Sequence, residues 1–197
     1  MVTASEALQR LREGNHRYVH DLSRSMLSTA ARRRELLAGQ HPFAIVLGCS
    51  DSRVPVETVF DQGLGDLFVV RVAGNVVSQS AVGSVEFAAG RFGTKLVVVM
   101  GHSMCGAIQS TLDGLTASTD DMSPDLASIV DRIRPVVEPL LATDLRADRK
   151  ALVAEAVRRN VRASASHLRQ VLAHDGLVVV GAEYSLETGA VDFFDRA

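Results

Sequence analysis

Cys49, Asp51 and Arg53 occupy alternate positions in VLGCSDSRVP, Val46 to Pro55, directly behind an apolar run. A second apolar run, KLVVVMG at Lys95 to Gly101, is followed at once by His102 and, three residues later, by Cys105. Thiolate and imidazole donors together suit zinc, which binds them tetrahedrally. Three such donors with one exchangeable position describe a catalytic zinc, whereas a structural zinc is usually closed. Asp51 falls on the same side of an extended chain as Cys49. Arg53, always charged, would hold that carboxylate ionised and oriented through two parallel hydrogen bonds. The same stretch also reads as a solvated strand end that happens to contain a cysteine, with Arg53 in an ordinary surface ion pair. Neither Cys-x-Asp-x-Arg nor His-x-x-Cys decides the matter alone. Their joint placement favours chemistry: the chain has two cysteines, and each follows a strong strand signal.

The elements that must position these residues are legible from pattern. FAIVLG at Phe43 to Gly48 and KLVVVMG are short continuous apolar runs, as expected of strands buried on both faces. Further strands are expected at Leu67 to Val72, ending in a Gly-Asn turn, and in LVVVGAEY. A last edge strand, antiparallel, should follow the Thr188-Gly189 turn. Helices are predicted between them. SAVGSVEFAAGRFG and CGAIQSTL carry two, and Pro124 opens a third that Pro135 and Pro139 should kink or break. The longest puts Val153, Val157, Val161, Leu168 and Leu172 on one face. Asp113 to Ser123 reads as a loop. Strands alternating with helices imply right-handed crossovers. The predicted fold is α/β: a mainly parallel four-stranded central sheet with an antiparallel edge strand and helices on both faces. In such sheets ligands bind at the carboxyl ends of the strands. Adjacent strands lie about 4.8 Å apart, so the two loops can share one metal ion.

Before the first strand lies a helical arm, residues 1–39. It divides into an amphipathic helix with Ser5 as N-cap, weakened at Gly14, which is a candidate end for it, and a second helix over Ser28 to Ala38 that stops at Gly39. The sequence leaves open whether the arm packs on its own domain or on a partner subunit. The 197 residues suit one domain spanning 1–197. A formal net charge of -2 gives no field to draw nucleic acid or an anionic membrane, and the one basic cluster, Arg32 to Arg34, reads as a solvated helix face. No run reaches about 18 apolar residues, which argues against a membrane span. The start lacks an apolar signal core, and two cysteines are too few for a disulfide scaffold, so the cytoplasm is the expected location.

CSDSR at Cys49 to Arg53 and GHSMCG at Gly101 to Gly106, with FDQGLGDLFVVRVAGN between them and SVEFAAGRFGTKLVVVMGH leading into the second, resemble the β-class carbonic anhydrases. EAVRRNVRASASHL and GAEYSLETGAV continue the likeness. The resemblance implies a zinc lyase, with one Zn2+ per chain on Cys49, His102 and Cys105. It implies reversible hydration of carbon dioxide to bicarbonate and a proton by zinc-bound hydroxide, oriented by Asp51 with Arg53 behind it. Two thiolates cancel the ion's charge and acidify its water less than histidines would, so Asp51 has a larger task. In an inactive family state Asp51 itself ligates zinc; the expectation here is the open state at neutral pH. Gln40, Phe68 and Phe87 align with positions lining the carbon dioxide pocket, some across a dimer interface. Other members carry tyrosine where Phe87 stands, and plant-like ones valine where Ala73 stands. The resemblance also implies a homodimer or larger homo-oligomer, with the N-terminal helix lying across the neighbouring chain.

One departure concerns regulation. Members regulated by bicarbonate hold it with a tryptophan, an arginine and a tyrosine. Arg71 and Tyr184 match the latter two, but Val46 stands at the tryptophan position. His16, His20, His41, His167 and His174 are the remaining histidines, and the sequence selects no proton shuttle among them. Two rival readings use the same residues: hydrolysis of carbon disulfide or carbonyl sulfide at the same zinc, and a catalytically silent zinc scaffold. The intact Asp51 and Arg53 argue against the scaffold. A nucleotide-binding domain is disfavoured because no Gly-rich loop follows the first strand.

Overall fold

The computed structural model describes residues 2–24, 28–115, 122–173 and 176–194. Its strands are β1 (Ala44–Gly48), β2 (Leu67–Arg71), β3 (Leu96–His102), β4 (Val178–Tyr184) and β5 (Val191–Phe193). They form one sheet in the order β2-β1-β3-β4-β5. The first four are parallel and β5 is antiparallel to β4, which is the predicted architecture.

The apolar runs of β1 and β3 are continuous because both faces of the sheet are covered. Every residue of β1 and β3 is buried. Successive side chains enter opposite cores. Val46, Val98 and Met100 pack beneath α1 (Ala4–Val19) and α3 (Val56–Val59). Ile45, Leu47, Val97 and Val99 pack against α4 (Gln79–Phe92) and α7 (Arg149–Val171). A third core gathers Ile108 of α5 (Gly106–Gly114), Ile133 of α6 (Pro124–Val137) and Val157 of α7, with both cysteines at its margin. The predicted face of α7 is buried throughout, Val153, Val157, Val161, Leu168 and Leu172 included.

The arm departs from its sequence reading. Thr3, not Ser5, caps α1: its hydroxyl accepts from the Glu6 N–H while the Glu6 carboxylate accepts from the Thr3 N–H, a capping box. Gly14 does not end the helix. A Cβ there would sit 1.8 Å from the Phe60 carbonyl oxygen, so glycine is what lets α1 approach the end of α3. Asn15 reinforces that seat, donating to Val59 O and Gly189 O. Ala7, Leu8 and Leu11 are buried on the chain's own sheet. The second helix is short, α2 (Ala30–Glu35), and tightens into a 3-10 turn through Ala38. There Leu37 stands in solvent, 86% exposed.

Proline breaks α6 later than expected. The helix passes through Pro135, and Pro139 then sits in the first turn of a 3-10 segment, Glu138–Ala142, where no N–H is required. Of the predicted Asp113 to Ser123 loop, residues 113 and 114 belong to α5 and 116–121 lie outside the described residues. Among the described residues no helix is long and apolar enough to cross a membrane.

Candidate zinc centre

Strand order brings the donors together. β1 and β3 are parallel neighbours with Gly48 beside Met100, so Cys49 and His102 leave the sheet at the same edge. Met104 takes a left-handed φ of 57°, and Cys105 caps α5. Cys49 Sγ, a ring nitrogen of His102 and Cys105 Sγ all lie within 4.8 Å of one another, and all three residues are buried. A tetrahedral zinc with bonds of about 2.3 Å to sulfur holds its ligands roughly 3.8 Å apart, a separation that falls within this limit.

The donor chemistry fits such an ion. His102 Nδ1 lies 2.9 Å from Ser103 O. A carbonyl only accepts, so Nδ1 carries the proton and Nε2 the lone pair. That Nε2 is buried without a hydrogen-bond partner, an arrangement costing about 1–3 kcal/mol unless something binds there. The thiols are a coupled pair. The hydrogen bond from Cys105 lowers the Cys49 pKa against the opposing effect of burial, and the neighbouring Cys49 sulfur and burial raise that of Cys105. Holding two thiolates side by side therefore calls for a cation.

Asp51 lies at the rim. Arg53 donates from Nε to Oδ1 at 3.0 Å, from Nη2 to Oδ2 at 2.8 Å and from its backbone N–H to Oδ1 at 2.9 Å. These bonds hold the Asp51 carboxyl well below the usual carboxylate range. Its Oδ2 is 3.9 Å from His102 Nε2, so the carboxylate borders the donor set while paired with Arg53.

Arg71 has a role the sequence did not suggest. It donates from Nε to Cys49 O at 3.1 Å and from Nη2 to Asp51 O at 2.7 Å, pinning the loop that carries both residues. The Tyr184 hydroxyl lies 3.2 Å from that of Tyr18, and burial followed by this contact raises its pKa to about 12. Val46 is wholly buried in the core shared with α1.

The pocket residues divide. Ala73 adjoins Gly74, whose N–H points at Cys49 Sγ from 3.4 Å. Phe68 pairs with Ile45, four residues before Cys49, about 13 Å back along the strand. Its ring lies 6.2 Å from that of Phe87 and 6.1 Å from Phe92. Phe87 is 57% exposed, and Gln40 is exposed just ahead of β1. Phe68 thus lies well back along the sheet from Cys49. His16 stacks on His20, His41 is exposed, and His174 lies outside the described residues.

Comparison with known proteins agrees with this geometry. A sequence model of the carbonic anhydrase family matches residues 44–191. Carbonic anhydrase 2 of Mycobacterium tuberculosis is 38% identical over 192 residues, covering 93% of this chain and 89% of that protein. A carbonic anhydrase of Mycolicibacterium smegmatis is 36% identical, covering 94% and 91%. Among solved structures, a β-carbonic anhydrase of Aspergillus fumigatus superposes with a TM-score of 0.73 at 27% identity, over 98% of this chain and 91% of that one. One of two tetrameric β-carbonic anhydrases from Sordaria macrospora gives 0.71 at 28%, over 83% and 86%. Sequence, fold and the Cys-His-Cys cluster at the strand ends thus agree, and the chain belongs to the β-class carbonic anhydrases.

Proposed function

We propose that this chain hydrates carbon dioxide reversibly to bicarbonate and a proton, with one zinc ion on Cys49, His102 and Cys105. The observation that carries the reading is the unpartnered, buried His102 Nε2 facing two buried thiols. Zinc bound there would act as a Lewis acid that makes a water molecule nucleophilic near neutral pH. Asp51 accepts that water's hydrogen at a carboxylate oxygen and so fixes the direction of its lone pair. Arg53 keeps Asp51 ionised and turned aside from the metal position, which favours the open form at neutral pH. Arg71 is committed to the loop backbone and Tyr184 to Tyr18, so a bicarbonate-holding role for this pair has no support.

The substrate is small and apolar and needs a dry wall beside the ion. Ala73 supplies part of it from the same chain. Gln40, Phe68 and Phe87 complete it in a partner's site, which accounts for a large aromatic left in solvent. A homodimer or larger assembly is therefore part of the proposal, and the tetrameric Sordaria relatives support it. With α1 on its own sheet, the α2 segment and Leu37 are the arm's contribution to that interface. Two unbridged thiols fit a cytoplasmic location.

Stopped-flow carbon dioxide hydration, with zinc measured on the same sample, tests the reading. One zinc per chain and turnover rising with pH are expected. Cys49→Ser should lose the metal. Metal-free protein with full turnover, or zinc-loaded protein with none, would overturn it. Carbonyl sulfide run alongside separates the two linear substrates.

A further inference from the structure

The two sulfurs of the zinc site are supported by different means. Cys105 is the N-cap of α5 and leads directly into that helix. The free N–H groups of a helix's first turn lie beside such a position by the helix's own geometry. Cys49 has no helix behind it. Its sulfur receives the Gly74 N–H at 3.4 Å, from a turn of unusual conformation. Gly74 has φ 67° and ψ 17°, and Asn75 follows with φ 45°. Two consecutive left-handed residues, one of them not glycine, persist only where the surroundings fix them.

α7 does the fixing. Asn160, 2% exposed, donates from Nδ2 to Gly74 O at 2.8 Å. One turn along, the Ser164 hydroxyl donates to Asn75 O at 3.3 Å. Both interrupt an otherwise apolar face of Val153, Ala156, Val157, Val161, Ala165 and Leu168, all buried. Asparagine is a poor helix former, and burying its amide among apolar groups is costly unless a specific bond compensates. That bond is to the residue whose N–H meets the sulfur.

We infer that Asn160 is a positioning residue for the metal: by fixing the Gly74 carbonyl it aims the Gly74 N–H at Cys49 Sγ and sets how firmly that thiolate binds zinc. An N–H at the sulfur withdraws part of its negative charge and fixes its lone pairs. The inference rests on the zinc reading above and extends it to a residue on the far side of the turn.

The test compares wild type with Asn160→Leu, which keeps the volume and removes the donor, and with Leu168→Ala, which loosens the same helix away from the turn. The readouts are zinc affinity by chelator competition and the thiolate-to-metal charge-transfer absorption of the cobalt-substituted protein. Asn160→Leu is expected to weaken zinc binding by about 10–100-fold, the usual effect of losing an outer partner, and to shift the cobalt band. Leu168→Ala is expected to lower stability and leave both readouts unchanged. Equal effects from the two variants, or an unchanged band in Asn160→Leu, would overturn the inference. If Asn160→Leu fails to fold, NMR of the cadmium-substituted wild type decides. A scalar coupling from the metal to the Gly74 amide proton is expected, and its absence overturns the inference. Wild type that binds no metal at all would instead sink the zinc reading.

Discussion

Arg53 grips Asp51 at both ends of its carboxylate, Nε to Oδ1 at 3.0 Å and Nη2 to Oδ2 at 2.8 Å, beside an unpartnered His102 Nε2. The fork fixes the plane of the carboxylate as well as its charge. Asp51→Asn removes the acceptor-only group and leaves Cys49, His102 and Cys105 intact. Zinc content should stay at wild-type level while kcat falls about a hundredfold or more. Arg53→Lys should not restore full rate, because an ammonium has no fork. Metal analysis beside stopped-flow kinetics checks both.

Asp61 ties α1 to α3. It is buried and accepts from Arg17 Nε at 2.5 Å and from the Arg24 N–H at 2.9 Å. Burial opposes its ionisation, but the Arg17 and Arg24 bonds outweigh that and lower its pKa. A carboxylate whose folded pKa is depressed stabilises the fold above its unfolded value, about 3.9, and loses that contribution as pH falls through the folded value. Asp61→Asn should therefore cost about 2 kcal/mol at neutral pH. The gap between variant and wild type should close in acid. Urea melts at several pH values measure it.

Gly14→Ala sets two effects against each other. Alanine favours the helix by about 1 kcal/mol. The added Cβ would meet the Phe60 carbonyl at 1.8 Å, a backbone obstacle that cannot swing aside. Overpacking of this kind costs about 1–3 kcal/mol or more, so the variant should be destabilised. Faster hydrogen exchange concentrated in α1 would identify the loosened seat.

Phe87 is 57% exposed with Phe68 and Phe92 behind it, and the proposed function places it between copies of this chain. Phe87→Asp should raise the self-dissociation constant about thirtyfold, the effect of losing roughly 2 kcal/mol at a buried aromatic anchor. Sedimentation velocity reads it directly. Turnover should fall together with the assembly if the partner completes the pocket.

Particular residues show what was legible beforehand. Cys49 and His102 could be placed at strand ends because continuous apolar runs mark strands covered on both faces, and β1 and β3 are such runs. Asn160 could not be singled out as a zinc-site residue. Its only signal is a polar side chain within the apolar stripe of α7, and its partner, Gly74, lies 86 residues away in the chain. Arg71 was legible as a cation after a strand, but its two carbonyl partners were not. Gly14 suggested a helix end because its use is a tertiary contact with Phe60.

By itself the sequence determined the alternation of strands and helices, the continuous burial of β1 and β3, and the donor types Cys, His and Cys with Asp and Arg beside them. Those follow from side-chain period and chemistry, which act over a few residues. The tertiary structure decided which strand lies beside which, that α1 lies on its own sheet, and that α7 reaches the turn behind Cys49. Each of those depends on contacts between segments distant in sequence, and local preference carries no information about such pairings.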